Sequence, residues 1–331
     1  CWSRPRIAAA RPSRCTPSGW VGAFCMRARR MRRDWLAYIA VLILCGAAWG
    51  LTQPLAKIAV TAGYKHFGII FWQCAIGAAV LGGLNALRGR ALPVTGRHLA
   101  FFTIIALIGT LLPGVASYTA AFHLPSGIMS IVLSLIPMLA FPIALALGLD
   151  RFSALRLVGL CLGLCAILLI ALPESSLPDR AMVAWLPLAL VAPLFYAMEG
   201  NFVARYGTKG MDAVQVLLGA SLVGMVLSAP LAVMTGQFIR PMTTLGPPEL
   251  AIIGSSIAHA MSYTLYVWLV TRAGSVFAAQ ASYLVTGFGI FWAKVILVES
   301  YSPWVWAALV LMLAGLALVQ PRKPPAAVAI P

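Results

Sequence analysis

The sequence predicts an all-α polytopic membrane protein with ten transmembrane helices, arranged as two inverted five-helix repeats. Three observations support this fold class: the composition, the lengths of the apolar runs, and residue matches between the two halves of the chain. Of the 331 residues, 61% are hydrophobic and 10% are charged, whereas soluble domains carry about 25% charged residues. The chain therefore lacks the polar residues that a folded surface needs in water.

Ten apolar runs follow one another along the chain, each close to the ~20 residues that cross a bilayer as a helix. The segments between them are too short to hold a soluble domain, so most of the chain is expected to lie in the membrane. The runs cover residues 35–56, 67–87, 98–119, 126–148, 154–172, 182–204, 213–235, 249–270, 275–297 and 303–320.

The positive charge of the chain is explained by membrane topology, without a nucleic-acid partner. The formal net charge is +16, and a basic cluster spans Arg27–Arg33. With a cytoplasmic N-terminus, ten further Lys and Arg residues lie at inner helix ends and four at outer ends. Because Lys and Arg are enriched in cytoplasmic loops, we expect a multi-pass protein of the cell inner membrane with both termini in the cytoplasm.

The two terminal segments are expected to lie outside the helical repeats. Residues 1–33 are rich in Arg, Pro, Ser and Ala and contain no acidic residue, which predicts a disordered basic tail. The favoured interpretation is sequence upstream of the true start, at Met26 or Met31; a transit peptide and a basic tail on anionic lipid are the alternatives. Residues 321–331 are expected to form a short cytoplasmic tail. The seven cysteines form no Cys-x-x-Cys pair, so neither a metal site nor a cofactor is expected.

The two halves of the chain match at nearly constant offsets of 142 to 150 residues. The first five-helix repeat is assigned to residues 34–173 and the second to residues 181–320. Because five is odd, the second repeat enters the membrane upside down, as in the inverted repeats of many carriers. Matching pairs in corresponding helices are Gln73 and Gln215, Gly77 and Gly219, Ser126 and Ser275, Asp150 and Glu299, and Gly50 and Gly200.

Three stretches resemble EamA-type transporters of the drug/metabolite transporter superfamily. They are "GAAWGLTQPLAKIA" (46–59), "SGIMSIVLSLIPMLAFPIALALGLDRFSALRLVGLCLGLCAILLI" (126–170), and "SVFAAQASYLVTGFGIFWAKVILVES" with the following "YSPWVWAALVLMLAGLALV" (275–319). The first repeat has Asp150 where the family usually has Glu, and Thr286 stands at the position that matches Pro137. The resemblance implies a secondary exporter of small metabolites, amino acids or drugs.

Polar residues at helical spacing predict a substrate cavity between the helices, because such stripes avoid lipid and face a partner helix or water. Predicted helix 8 carries the widest stripe, with Ser255, Tyr263 and Tyr266 around His259. Hydrogen bonding between helices is the alternative explanation for these stripes. The residues assigned to the cavity are Trp49, Gln53, Tyr263, Gln280 and Tyr283.

Glu199 and His259 are the candidates for proton coupling, since an ionisable group inside a membrane span indicates a functional site. Glu199 lies six residues before Arg205, and Gln280 is its expected partner. Two alternatives remain open for Glu199: pairing with Arg205 or Asn201 near the interface, or extension of the side chain towards water. His259 has the alternative of a neutral ring that is hydrogen-bonded to a nearby serine.

Other functions remain open beside a proton-coupled exporter. The first is a facilitative or exchange-type metabolite permease without proton coupling. A membrane-embedded enzyme is a distant alternative, because the chain has neither a Gly-x-Ser-x-Gly nor a His-Glu-x-x-His motif and its four histidines are scattered. We expect a non-enzymatic monomer or homodimer whose partners are the lipid bilayer, a small-molecule substrate and, in the coupled case, protons.

Overall fold

The computed structural model describes residues 20–240 and 245–319, and these residues form helices without any strand. Eight of the described helical segments are long and apolar enough to cross a membrane, judged by length and composition, and Ala281–Leu297 and Pro303–Leu318 are shorter apolar helices. The helical segments are α1 (Trp20–Thr61), α2 (His66–Leu87), α3 (Gly96–His123), α4 (Ser126–Ala146), α5 (Ala154–Ala171), α6 (Arg180–Tyr206), α7 (Ala213–Met234), α8 (Pro247–Ala273), α9 (Ala281–Leu297) and α10 (Pro303–Leu318).

The predicted disordered tail is wrong for residues 20–33, because α1 already begins at Trp20. This stretch is rich in Ala, Met and Arg, which are among the strongest helix formers. Extending an existing helix also adds a backbone hydrogen bond without the cost of a new nucleus. Residues 1–19 and the predicted tail at 321–331 lie outside the described residues.

Two helices are interrupted near their middle, each beside a proline, and a third break lies just before α9. In α3, residues Leu107–Leu111 form a π-helical turn, in which the N–H of Leu112 bonds to the carbonyl of Leu107. Pro113 has no N–H to donate to the carbonyl of Gly109, so the regular α-helical bond is missing there. The other two interruptions are Ser134–Leu135 in α4, just before Pro137, and Ala279–Gln280 between a short turn, Ser275–Ala278, and α9.

Helices of one half pack against their counterparts in the other half. The pairs α2–α7, α4–α9 and α5–α10 are each in direct contact, and α2 and α7 pack on α8 and α3 respectively. When each helix of the first half is replaced by its counterpart in the second half and vice versa, the contact between α2 and α8 becomes the contact between α7 and α3, and the other three contacts are unchanged. The described helices therefore have the internal pairing that is expected of a duplicated five-helix unit.

The helix connections form two ends, which are held together by different contacts. At the basic end, formed by the connections α2–α3, α4–α5, α6–α7 and α8–α9, Asp212 pairs with Arg88 at 2.9 Å and with Arg90 at 2.8 Å. At the opposite end, Tyr64 donates a hydrogen bond to Glu249, which also accepts the N–H of Gly246 at 3.0 Å at the start of α8. The hydrogen bond between Tyr64 and Glu249 is the largest cause that raises the pKa of Tyr64. Burial and the negative charge of Glu249 raise the pKa further.

Glycines allow α5 and α10 to approach closely. A Cβ atom on Gly315 would lie 2.6 Å from the carbonyl oxygen of Gly159 and 2.9 Å from the Cε atom of Met138. Gly163, one turn after Gly159, similarly faces Leu135 and Met138. Small residues at such positions let helix backbones pack in membranes, which explains the paired glycines of α5.

Gly315→Ala is expected to destabilise the fold by about 1–3 kcal/mol, because the added methyl group must displace backbone or a packed side chain. The measurement is the thermal unfolding midpoint of the purified protein in detergent. Gly83→Ala in α2 is the matched control, since a Cβ atom there meets nothing within 4 Å. Equal midpoints for the two variants would show that α5 and α10 are not closely packed at Gly315.

Candidate functional site

The helices enclose a cavity of about 770 Å³, large enough for a drug-sized molecule. Its wall is formed largely by α1, α3, α4, α6, α8 and α9. The three helix interruptions border it: Gly109 and Thr110 from the π-turn of α3, Ser134 from the break in α4, and Ala281 at the start of α9. Broken helices at a central cavity are a frequent feature of membrane carriers.

Five of the seven predicted site residues line this cavity, although they come from three separate helices. Ser255 and Tyr266 of the predicted helix 8 stripe line it as well. The five residues are Trp49 and Gln53 from α1, Glu199 from α6, and His259 and Tyr263 from α8.

The remaining two predicted residues, Gln280 and Tyr283, do not belong to the cavity wall. Gln280 lies in the break before α9, and Tyr283 packs against the main hydrophobic core. The face of α9 towards the cavity instead carries Ser282, Val285 and Thr286. The predicted stripe of α9 is therefore displaced around the helix axis from the face that lines the cavity. The sequence pattern does not fix this rotation, which depends on the packing of α9 against α4.

Glu199 lies against the π-turn of α3. A Cβ atom at Gly109 would be 2.5 Å from the carboxyl carbon of Glu199 and 2.6 Å from both of its oxygens. A glycine is therefore required there for the carboxylate to hold its position. The side chains of Tyr196 and Tyr263 are close enough to interact electrostatically with Glu199.

The two alternatives for Glu199 can be compared with these contacts. The amide of Asn201 donates instead to the carbonyls of Ala140 at 3.1 Å and Ala197 at 2.8 Å. Within the described part of the chain, the Glu199 carboxylate takes part in neither a hydrogen bond nor a salt bridge. Its surface is half-buried and opens on the cavity, so a ligand in the cavity can reach it.

An aromatic cluster faces the same cavity. Trp49 contacts the ring of His259 edge to face, with 5.9 Å between ring centroids, and the ring of Tyr266 at 6.1 Å. Farther towards the opposite end, Tyr118 donates a hydrogen bond to Gln73, and both line the cavity. Neither Gln73 nor Tyr118 was assigned to the cavity from the sequence, although Gln73 belongs to the matches between the two halves.

An ion pair lies where the cavity reaches the basic end. Asp150 pairs with Arg156, and the guanidinium carbon of Arg156 lies 5.6 Å from the centroid of the Phe141 ring. Leu149 and Asp150 of the α4–α5 connection line the cavity, whereas the described residues of the opposite-end connections do not. Among the described connections, those that line the cavity therefore lie at the basic end.

A group of polar contacts closes the opposite end around the α3–α4 connection. Lys57 donates to the carbonyls of residues 121, 122 and 124 at the C-terminus of α3, at 2.8, 2.9 and 3.0 Å. Glu299 accepts the N–H groups of residues 126 and 127 at the N-terminus of α4, at 2.8 and 3.2 Å, and the hydroxyl of Tyr301 at 2.6 Å. Each charge has the sign that the helix dipole favours at that end.

We name Lys57, Glu299 and Tyr301 the α3–α4 clamp. Tyr301 fits beside Glu299 because residue 127 is glycine: a Cβ atom there would overlap with the tyrosine hydroxyl. Burial raises the pKa of Tyr301, and its hydrogen bond to Glu299 raises the pKa further. The phenol therefore stays protonated and keeps donating to the carboxylate near neutral pH.

A bundle of apolar helices around a mainly apolar cavity with a few polar groups is an arrangement typical of helical membrane transporters. The family comparison is specific: the model of the EamA-like transporter family matches residues 36–172 and 183–320. The chain belongs to this family and contains its domain twice, which confirms the resemblance noted in the sequence.

Comparison with solved structures supports the fold alone. One similar structure, described only as "Crystal structure of protein", has a TM-score of 0.58 and 17% sequence identity. The alignment covers 85% of this chain and 97% of the other. A search of curated proteins finds no significant match.

Proposed function

We propose that the protein is a secondary active transporter of the cell inner membrane that exports a small metabolite, amino acid or drug by alternating access. The observation that carries this proposal is the asymmetry of the cavity. It reaches the α4–α5 connection at the basic end, while the α3–α4 clamp holds the opposite end closed. A cavity that is reached from one side only is one of the two states that alternating access requires.

The proposal includes ten membrane spans in two inverted repeats. Helices α9 and α10 have 17 and 16 residues, or about 24–26 Å at 1.5 Å per residue. This is shorter than a ~30 Å hydrocarbon core, and the bilayer accommodates short helices by thinning or through flanking anchors. Trp304 and Trp306 at the start of α10, with Lys294 near Trp306, are side chains of the type that anchors a helix at the interface.

Reporter fusions after Pro248 and after Arg322 are expected to report outside and inside, respectively. The physical reason is the concentration of Lys and Arg at the basic end, from which we expect that end and both termini to be cytoplasmic. Activity of a periplasmic and a cytoplasmic reporter at each position is the measurement. Signals from the same compartment at both positions would contradict the inverted five-plus-five topology.

Glu199 is the proposed coupling residue, and His259 is the second candidate. A carboxylate without a protein partner is costly to hold away from water, so it gains from binding a proton or a cationic ligand. Six residues of helix separate Glu199 from Arg205 near the basic end of α6, which is about 9 Å of helix. A proton can therefore exchange between the cavity and the compartment at the basic end.

The function is tested with purified protein in liposomes, using a panel of metabolites, amino acids and drugs. Movement of one class of compound against its gradient, driven by a pH gradient, is the expected result. Movement that only equalises concentrations would indicate the facilitative permease. Movement that requires a second substrate inside the liposomes would indicate exchange. Protein-free liposomes provide the control for leakage.

A further inference from the structure

We propose that the transported substrates are amphipathic organic cations, bound between the Glu199 carboxylate and the aromatic rings around Trp49. This inference rests on the transport function proposed above and names the substrate class of that cavity. Three properties of the wall support it: its charge, its aromatic side chains, and the lack of an unpaired cationic side chain among its described residues that could bind an anion.

The charged side chains of the wall leave one negative charge uncompensated. Among its described lining residues, the carboxylates are Asp150 and Glu199 and the permanent cation is Arg156. Asp150 and Arg156 form an ion pair with each other. Glu199 therefore remains as the charge that a ligand can neutralise, and an ionisable group inside a membrane span gains from pairing with an opposite charge.

Aromatic rings line the same cavity as this carboxylate. Tyr196 and Tyr263 interact electrostatically with Glu199, and Trp49 lies next to His259 and contributes its ring to the same wall. The faces of Trp and Tyr attract cations, and most strongly where water is excluded. A cation with an apolar body would thus find both a charge partner and a surface for its body.

An anionic substrate lacks an equivalent partner in the wall. Arg156 is already paired with Asp150 and its guanidinium lies over the Phe141 ring. An anion beside Glu199 would also oppose release of the proton from its carboxyl group, because two like charges would then be juxtaposed. The arrangement therefore favours a cation, which gains a charge pair when the proton leaves.

Binding of the cation is coupled to release of a proton. In the absence of substrate, the neutral carboxyl group of Glu199 keeps its proton on a carboxylate oxygen. When the cation binds, that O–H bond breaks, the proton leaves to the solvent, and the carboxylate forms an ion pair with the cation. One site that holds either a proton or a cation is sufficient for their exchange across the membrane.

The test uses the purified full-length protein and three probes with a similar ring: benzyltrimethylammonium as cation, phenylalanine as zwitterion and benzoate as anion. Isothermal titration calorimetry is expected to show binding of the cation, with at least about tenfold weaker affinity for the other two, since a charge pair shielded from water contributes more than 1.4 kcal/mol. A pH-indicator dye is expected to report proton release on cation binding. Tighter binding of benzoate or phenylalanine would overturn the inference.

Matched variants test the two components of the site. Glu199→Gln is expected to weaken cation binding about tenfold and to abolish proton release, whereas Glu174→Gln, at an exposed position in the α5–α6 connection, should do neither. Trp49→Leu is expected to weaken cation binding by several-fold, while Trp304→Leu at the exposed start of α10 should not. Unchanged cation affinity in Glu199→Gln would contradict the assignment of the charge partner.

The same preparations separate this inference from the proposed function. If pH-driven transport in liposomes occurs for neutral, zwitterionic or anionic compounds but not for benzyltrimethylammonium, the protein is a transporter and the cation class is wrong. If folded protein transports none of the compounds of the panel, the proposed transport function fails too. Transport of benzyltrimethylammonium with counterflow of protons supports both.

Discussion

Glu199→Gln is expected to abolish transport driven by a pH gradient while leaving the protein folded. Glutamine has nearly the same shape and fits against Gly109 as glutamate does, but it cannot take up or release a proton. Loss of a group that carries the coupled proton removes the link between the pH gradient and the substrate. We expect the pH-driven rate in liposomes to fall by at least about 100-fold, in the range found when a proton-transferring group is lost.

The control is Glu174→Gln, which makes the same chemical change at an exposed position outside the cavity. It should transport at the wild-type rate. Equal thermal unfolding midpoints for both variants would show that the loss is functional. If Glu199→Gln transports as well as the wild type between about pH 6 and 8, the carboxylate is structural, and the coupling role passes to His259 or to no residue.

Glu299→Gln is expected to open the end of the cavity that the α3–α4 clamp closes. The glutamine side chain retains one acceptor oxygen and loses the negative charge that binds two N–H groups of α4 and the Tyr301 hydroxyl. A hydrogen bond to a charged group contributes about 1.5–3 kcal/mol, so the population of the state open at this end should rise about tenfold or more.

The measurement is the rate at which a membrane-impermeant maleimide labels a cysteine placed at Ser117, which lines the cavity towards the opposite end. The background carries no other cysteine. Tyr301→Phe should raise the labelling rate less than Glu299→Gln, because it removes one of the three donors. Asp179→Asn, which neutralises an exposed carboxylate that accepts the N–H of Ala181, is the control and should leave the rate unchanged.

Unchanged or slower labelling in Glu299→Gln would show that the clamp does not hold the opposite end closed. The comparison with Asp150 is instructive, because the repeat places it at the position equivalent to Glu299. Asp150 pairs with Arg156 within its own half, whereas Glu299 bonds to the other half. Bonds between the halves occur at both ends, because Asp212 pairs with Arg88 and Arg90 at the basic end. The opposite end differs in that none of its described connections lines the cavity.

Individual residues show how far sequence patterns lead towards the cavity. Trp49 and Gln53 follow one another at the spacing of one helix turn, and His259 and Tyr263 do the same in α8, so their shared faces could be predicted from helical periodicity. Lys57 continues the stripe of α1 but binds the carbonyls at the end of α3. A stripe indicates a face that avoids lipid, and it does not distinguish a cavity from a contact between helices.

Gly109 shows what the pattern does not contain. A glycine in a membrane helix is common, and its role as the contact surface of Glu199 depends on two helices that are separated by about 90 residues. The sequence contains one indication of the π-turn: Pro113 lacks the N–H that would bond to the carbonyl of Gly109. That indication predicts an irregular helix, and the position of the carboxylate follows only from the packing of α3 against α6.

The sequence by itself determined the membrane environment, the apolar helices and the duplication, because run length, charge distribution and residue offset are properties of the chain alone. The family followed from the resemblance of three stretches, which the family model confirms. The sequence also selected Glu199, since an isolated carboxylate in an apolar run is costly wherever the chain folds. Only the tertiary structure decided which side of α9 faces the cavity, where Glu199 rests, and which end is closed. These features depend on the rotation and close approach of helices far apart in sequence, which side-chain packing sets.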